Sequence, residues 1–124
     1  MNSKVFMIVR ILLGLFVLVF GLNKFLDFMP MPEMSAEAGT YFGALTSAKT
    51  LTLVGIVEVV AGLALILNKY GALMALILMS VAVNAVLFHA MLDPGGIGGA
   101  AALLVLNIAV IIGYKDKYKV LLAG

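Results

Sequence analysis

The chain has 124 residues, 65% hydrophobic and 11% charged, with a formal net charge of +2 and neither cysteine nor tryptophan. A soluble domain of this size is nearer half apolar and one quarter charged, so the composition places the protein in a membrane. The missing thiols exclude disulfide chemistry, thiolate metal sites and iron–sulfur clusters for this chain by itself, one histidine and six scattered carboxylates give little for a metal site, and so small a charge gives no footing for nucleic acid.

Four apolar stretches are long enough to cross a hydrocarbon core about 30 Å thick at about 1.5 Å of rise per residue. Lipid leaves the backbone no partner but itself, so each is expected to be a helix. The first runs over 5–28. Lys4 and Arg10 ahead of Ile11–Gly21 resemble the basic and apolar regions of a signal peptide. No small-x-small cleavage site follows, and Asn23-Lys24-Phe25 comes instead, so an uncleaved first span is expected. The connection that follows is long. It opens with Pro30 and Pro32, and Ser35 is placed to cap a segment over 36–48 carrying Tyr41, Phe42 and Leu45. That segment reads either as a short interfacial helix lying over the outer mouth or as a loosely ordered polar loop. Its methionines Met29, Met31 and Met34 are read as fillers of irregular gaps.

The second span, 51–67, carries Glu58 between Gly55 and Gly62, all within about 60° on a helix turning 100° per residue. Asn68-Lys69-Tyr70 is a tight helical turn into the third span, 71–92, which carries Ser80, Asn84 and His89. Asp93-Pro94-Gly95-Gly96 is a turn, proline fixing φ and glycine supplying positive φ. The fourth span, 97–113, contains Asn107. The second and fourth are short for the bilayer, so little tilt or local thinning is expected there. Tyr114 to Lys119 alternates aromatic and basic residues in the manner of an interface anchor.

These spans predict an all-α, up-down-up-down four-helix bundle in one transmembrane domain. Gly14 and Gly21, Gly55 and Gly62, and Gly95-x-x-x-Gly99 mark expected contact faces, because close backbone approach drives helix packing in lipid. Lys4, Arg10, Lys69, Lys115, Lys117 and Lys119, six of the eight basic residues, fall at one end. By the positive-inside rule both termini are cytoplasmic, in a bacterial inner membrane.

Charge inside such spans is expensive, about 2.5–3.5 kcal/mol for a central Lys, Arg or Asp, so Arg10, Lys24, Glu58 and His89 are where function is sought. Lys24, Glu58 and His89 reach a similar depth in the outer half if all face inward. Lys24 and Glu58 are the natural ion pair, each keeping the other charged, and His89 is the member able to titrate near neutrality. Asp27, one turn beyond Lys24, either reaches the same lysine or faces water. Arg10, about 8 Å from the cytoplasmic end by helical rise, is expected to snorkel to the headgroups. Ser80 and Asn84 share a face from which they reach a neighbouring helix, and Asn107 is expected to make an interhelical hydrogen bond.

A first helix ending in Gly21-Leu22-Asn23-Lys24-Phe25, a second carrying Glu58-x-x-x-Gly62 and a third closing on His89 resemble the DoxX family of small bacterial membrane proteins, from about Phe6 to Gly113. The glycine usual ahead of the third span stands here as Gly71 after Asn68-Lys69-Tyr70. The resemblance implies partnership in a membrane redox assembly, the family name coming from a subunit of a thiosulfate:quinone oxidoreductase. More distant four-helix relatives handle sterols or assemble receptors. Without cysteine or a haem-ligand pair, electron transfer would rely on a bound quinone or a partner's cofactor.

Two functions follow as expectations. In the first, a redox-associated subunit holds a quinone or similar lipid-like ligand in the outer half of the bundle. Lys24, Glu58, His89 and Asp27 then supply hydrogen bonds and protons at the floor of an apolar cavity open to lipid. In the second, a non-catalytic lipid-binding or membrane-protein assembly factor uses the polar cluster as a structural latch. No self-contained catalytic motif is present, so the chain is at most a subunit of an oxidoreductase. A proton-coupled transporter is disfavoured by the absence of broken helices or an internal repeat, and it would need a homo-oligomer to build a pathway.

Overall fold

The computed structural model describes residues 1–30 and 33–124. Four long apolar helices form the frame: α1 (Ser3–Leu26), α3 (Thr50–Leu67), α4 (Gly71–Leu92) and α5 (Ile97–Gly113). A shorter helix, α2 (Ala36–Ser47), fills the first connection, and a final turn, α6 (Lys119–Leu122), follows a 3₁₀ segment over Lys115–Tyr118. Each long helix packs on the next around a closed ring, α1 on α3, α3 on α4, α4 on α5 and α5 back on α1. The bundle is all-helical among the described residues, and its four long helices are apolar enough to span a membrane.

Local chemistry sets the helix ends. Asn2 Oδ1 accepts from the Val5 N–H at 2.8 Å and opens α1. The helix stops two residues short of the apolar stretch because Asp27 turns left-handed, φ 51°, and its N–H closes on the Asn23 carbonyl. Ser35 caps α2 by accepting from the Ala38 N–H, and its hydroxyl donates to the Leu92 carbonyl. The expected choice between helix and loose loop is thus resolved as a helix, which packs on α3 and α4. Ala38 is fully buried, Tyr41 stacks on Phe88 and Phe42 meets the same ring edge-on. Met31 and Pro32 lie outside the described residues.

The core runs through the ring as Leu13 and Val17 of α1, Ala61 and Leu65 of α3, Ala75 and Leu78 of α4, and Leu103 and Val110 of α5. The outward faces are just as apolar, with Leu12, Leu53, Leu73 and Val105 all exposed. A helix hydrophobic all round has lipid on its outer side, so inside and outside here differ in residue size and polarity more than in hydropathy.

Glycine decides how closely two of these helices approach. A Cβ on Gly62 would lie 2.8 Å from the Gly14 carbonyl oxygen and from Leu18 Cβ, and one on Gly21 would lie 2.9 Å from Glu58 Cβ and the Val59 nitrogen. The expected contact faces of α1 and α3 are therefore real. The third expected face is not: Gly95, Gly98 and Gly99 have nothing within 4 Å of where a Cβ would stand. The Pro94–Gly96 turn also departs from expectation, since it is a 3₁₀ turn with no positive-φ glycine. Gly96 is required for another reason, because a Cβ there would stand 2.7 Å from His89 Nδ1.

Candidate functional site

At the end of the bundle opposite the termini, α1 and α3 bring an amine and a carboxylate together. Lys24 Nζ donates to Glu58 Oε1 at 2.6 Å. Gly21 admits the Glu58 backbone against α1, and Gly55 admits the Lys24 stem, whose Cβ and Cδ pass 3.2 and 3.3 Å from the position a Cβ would take. The glutamate is 4% exposed, while about a quarter (24%) of the Lys24 side chain remains open. A separation of 2.6 Å is a charge-assisted hydrogen bond and leaves no room for a ligand atom between the two groups.

His89 does not join this pair. Its Nδ1 lies 3.1 Å from the Asp93 carbonyl oxygen and 3.3 Å from the Asp93 carboxylate, one helical turn along its own chain. Both neighbours are acceptors, so Nδ1 carries the proton. The close pass of Gly96 beneath the ring holds it there. The turn residue Asp93 captures the imidazole because it lies within reach at no loop-closing cost, whereas Glu58 is already satisfied. Asp27 takes the open option: it is exposed, it terminates α1, and no ion pair joins it to Lys24 among the described residues.

Arg10 overturns the snorkelling expectation. It is 7% exposed and turns inward, where Nη1 donates to the carbonyls of Leu65 and Ile66. The last carbonyls of any α-helix lack intrahelical donors, and the guanidinium supplies them to α3 from across the interface. Asn84 and Ser80 also differ from expectation. Each bonds its own helix, Asn84 Nδ2 donating to the Ser80 carbonyl and Ser80 Oγ to that of Ile77, both at 2.8 Å. Asn107 makes the interhelical bond anticipated for it: fully buried, it donates to the Ala75 carbonyl at 3.0 Å.

A second polar layer, at the end carrying both termini, is the one that sequence reasoning missed. Tyr114 and Tyr118 are each 6% exposed, so neither is the interface anchor expected of it. The Tyr114 hydroxyl donates to Asn68 Oδ1, the Tyr118 hydroxyl donates to the Ala72 carbonyl at 2.8 Å, and Phe6 meets the Tyr114 ring edge-on. Burial pushes both phenols above their ordinary range, with the positive charge of Arg10 acting against it at Tyr114. The available signal was Gly71, whose missing Cβ makes the space that Tyr114 fills.

Among the described residues no three metal-binding side chains gather. Grooves indent the surface of the described residues at two places. One of about 530 Å³ lies at the terminal end beside Phe6, Asn68 and Tyr114. The other, of about 280 Å³, runs along α4 and is lined by Tyr41, Asn84, Leu87, Phe88, Met91 and Leu92. Neither is floored by Lys24, Glu58 or His89, so the ligand cavity expected over those residues is not found at either place.

A family model described as DoxX matches residues 5–91, a stretch that includes Lys24, Glu58 and His89. No curated protein and no solved structure matches the chain significantly.

Proposed function

The chain belongs to the DoxX family, and from that membership we propose that it works as a non-catalytic membrane subunit, a lipid-binding or assembly platform whose Lys24–Glu58 pair is a latch. One observation carries this reading: the two groups touch directly at 2.6 Å, with the carboxylate shut beneath Gly21. The platform sits in a bacterial inner membrane with both termini cytoplasmic, as the basic residues at the terminal end favour. Reporter fusions at the C-terminus that are active only outside the cytoplasm would reverse that orientation.

Breaking a latch and replacing it have different consequences. Glu58→Gln leaves the Lys24 ammonium without its counter-charge, and because that side chain is partly open the loss of stability in detergent is expected to stay at about 1–3 kcal/mol, below that of a fully buried pair. Lys24→Met with Glu58→Leu removes both charges, and most of that loss is expected to return. In cells, the double variant is expected to support whatever respiratory or sulfur-oxidation growth the parent supports. Loss of growth by a stably folded double variant would overturn the latch and favour proton handling.

A second reading keeps the redox association and adds a quinone or similar lipid-like ligand. It is favoured by the part of the Lys24 side chain that stays open beside the pair. Organic extraction of protein purified from its host, followed by mass spectrometry, tests it. A stoichiometric isoprenoid supports this reading, and a clean extract counts against it.

A further inference from the structure

Through their middle turns, α1, α3 and α5 present only apolar side chains and glycine to the outside. Helix α4 does not. Ser80 and Asn84 are both exposed there, one turn apart, at the centre of a stripe formed with Leu73, Ile77, Leu87 and Met91. All six are exposed, and their separations of 4, 3, 4, 3 and 4 residues are those of the a and d positions of a coiled coil. Asn84 takes an a position in this pattern. The Asn84 amide spends one N–H on the Ser80 carbonyl, and its oxygen accepts no hydrogen bond among the described residues. An amide half-satisfied in hydrocarbon is an unfavourable end state that a neighbouring helix relieves.

The groove beside Asn84 narrows the choice of neighbour. At about 280 Å³ it lies at the small end of the range of about 300–1,000 Å³ typical of sites that enclose a small molecule. It is open along the helix and otherwise apolar, which suits side chains entering from a second helix. Copies of one chain inserted in one orientation carry Asn84 at the same depth. An asparagine is both donor and acceptor, so it is complementary to its own image across a twofold axis normal to the membrane.

We infer that a second copy of this chain docks on the exposed face of α4, in a parallel α4–α4 contact that pairs Asn84 with its counterpart and seats Leu87 and Met91 against the partner's groove. The face is separate from the Lys24–Glu58 pair and independent of what that pair does.

The native absence of cysteine makes the test direct. Single-cysteine variants of the full chain, Leu73→Cys, Leu87→Cys and, as the control on α5, Val105→Cys, are placed in phosphatidylethanolamine–phosphatidylglycerol vesicles and oxidised. The first two are expected to form disulfide dimers and the control to stay monomeric. Asn84→Val, added to Leu87→Cys, is expected to weaken self-association about tenfold, with Asn84→Gln retaining part of it. Asn84 bonds only within its own helix, so an unchanged circular dichroism spectrum is expected for both variants; Ser80→Ala, with a smaller loss, gives a second reading if one of them misfolds. Absence of dimers, equal cross-linking through Val105→Cys, or indifference to Asn84→Val would each overturn the inference. A monomer that retains a lipid lost on Asn84→Val would overturn it in favour of a lipid occupant.

Discussion

Arg10, Gly14, Val17, Gly21 and Lys24 follow one another at steps of four and three residues, and the first four form, with Leu13, the buried face of α1. Both of its inward-turned cations therefore lie on the stripe that the glycines already marked. The depth of Arg10 suggested an escape to the headgroups, but depth measures position along the axis and is silent about direction. Direction was legible in the spacing to Gly14. Once turned inward, the guanidinium has only the carbonyl-rich end of α3 to satisfy it. Arg10→Met keeps the aliphatic bulk and leaves two carbonyls bare in apolar surroundings, at about 1–3 kcal/mol for each unmet group. Unfolding in a fixed detergent is expected to show a loss of about 2–4 kcal/mol for Arg10→Met and a smaller one for Arg10→Lys. Equal stability of Arg10→Met and the parent would remove the capping role.

Between elements, the informative comparison is among glycines. Sequence spacing treats Gly14/Gly21, Gly55/Gly62 and Gly95/Gly99 alike, because small residues at regular intervals are the signature of close helix approach. Only the first two sets meet a partner helix, since α1 and α3 cross at their glycines, whereas Gly98 and Gly99 of α5 face outward. A small residue permits contact without specifying which helix arrives, and that choice depends on packing across the whole ring. The same limit applies to His89, where a local carboxylate immediately beyond the span outcompeted a distant one at matching depth. Gly62→Ala is expected to push α1 and α3 apart, because its new methyl meets backbone rather than the end of a flexible side chain; about 1–3 kcal/mol should be lost. Gly98→Ala meets nothing and replaces the weakest helix former but proline, so a gain of up to about 1 kcal/mol is expected. Thermal unfolding of the two variants side by side checks the contrast, and a reversed order would mean that α1 and α3 do not cross at Gly62.

At the scale of the whole molecule, helix number and the shared end of the termini were legible because lipid permits so few solutions for an apolar chain. The tail was not. Tyr114 and Tyr118 follow the last span with lysines around them, a pattern indistinguishable in sequence from residues resting at a membrane surface. Yet the tail folds back beneath the bundle, and Tyr114 alone meets α1 through Phe6, the α3–α4 turn through Asn68 and α4 at Gly71. These tyrosines close the ring at the end the ion pair does not reach, and their burial gives the closure a pH signature. Unfolded tyrosine titrates near 10, and burial raises both folded values above that. The folded state thus holds protons that the unfolded state has released, so the contribution is complete below about pH 10 and is lost as pH rises toward the folded values. Stability measured upward from pH 8 should stay level with respect to these groups and then decline. Tyr114→Phe with Tyr118→Phe should begin lower, by about 1 kcal/mol for each hydrogen bond lost, and decline less steeply, leaving only the fall due to lysines that both proteins share. Parallel alkaline slopes in the two proteins would mean that the phenols are hydrated in the membrane and that the ring closes by some other contact.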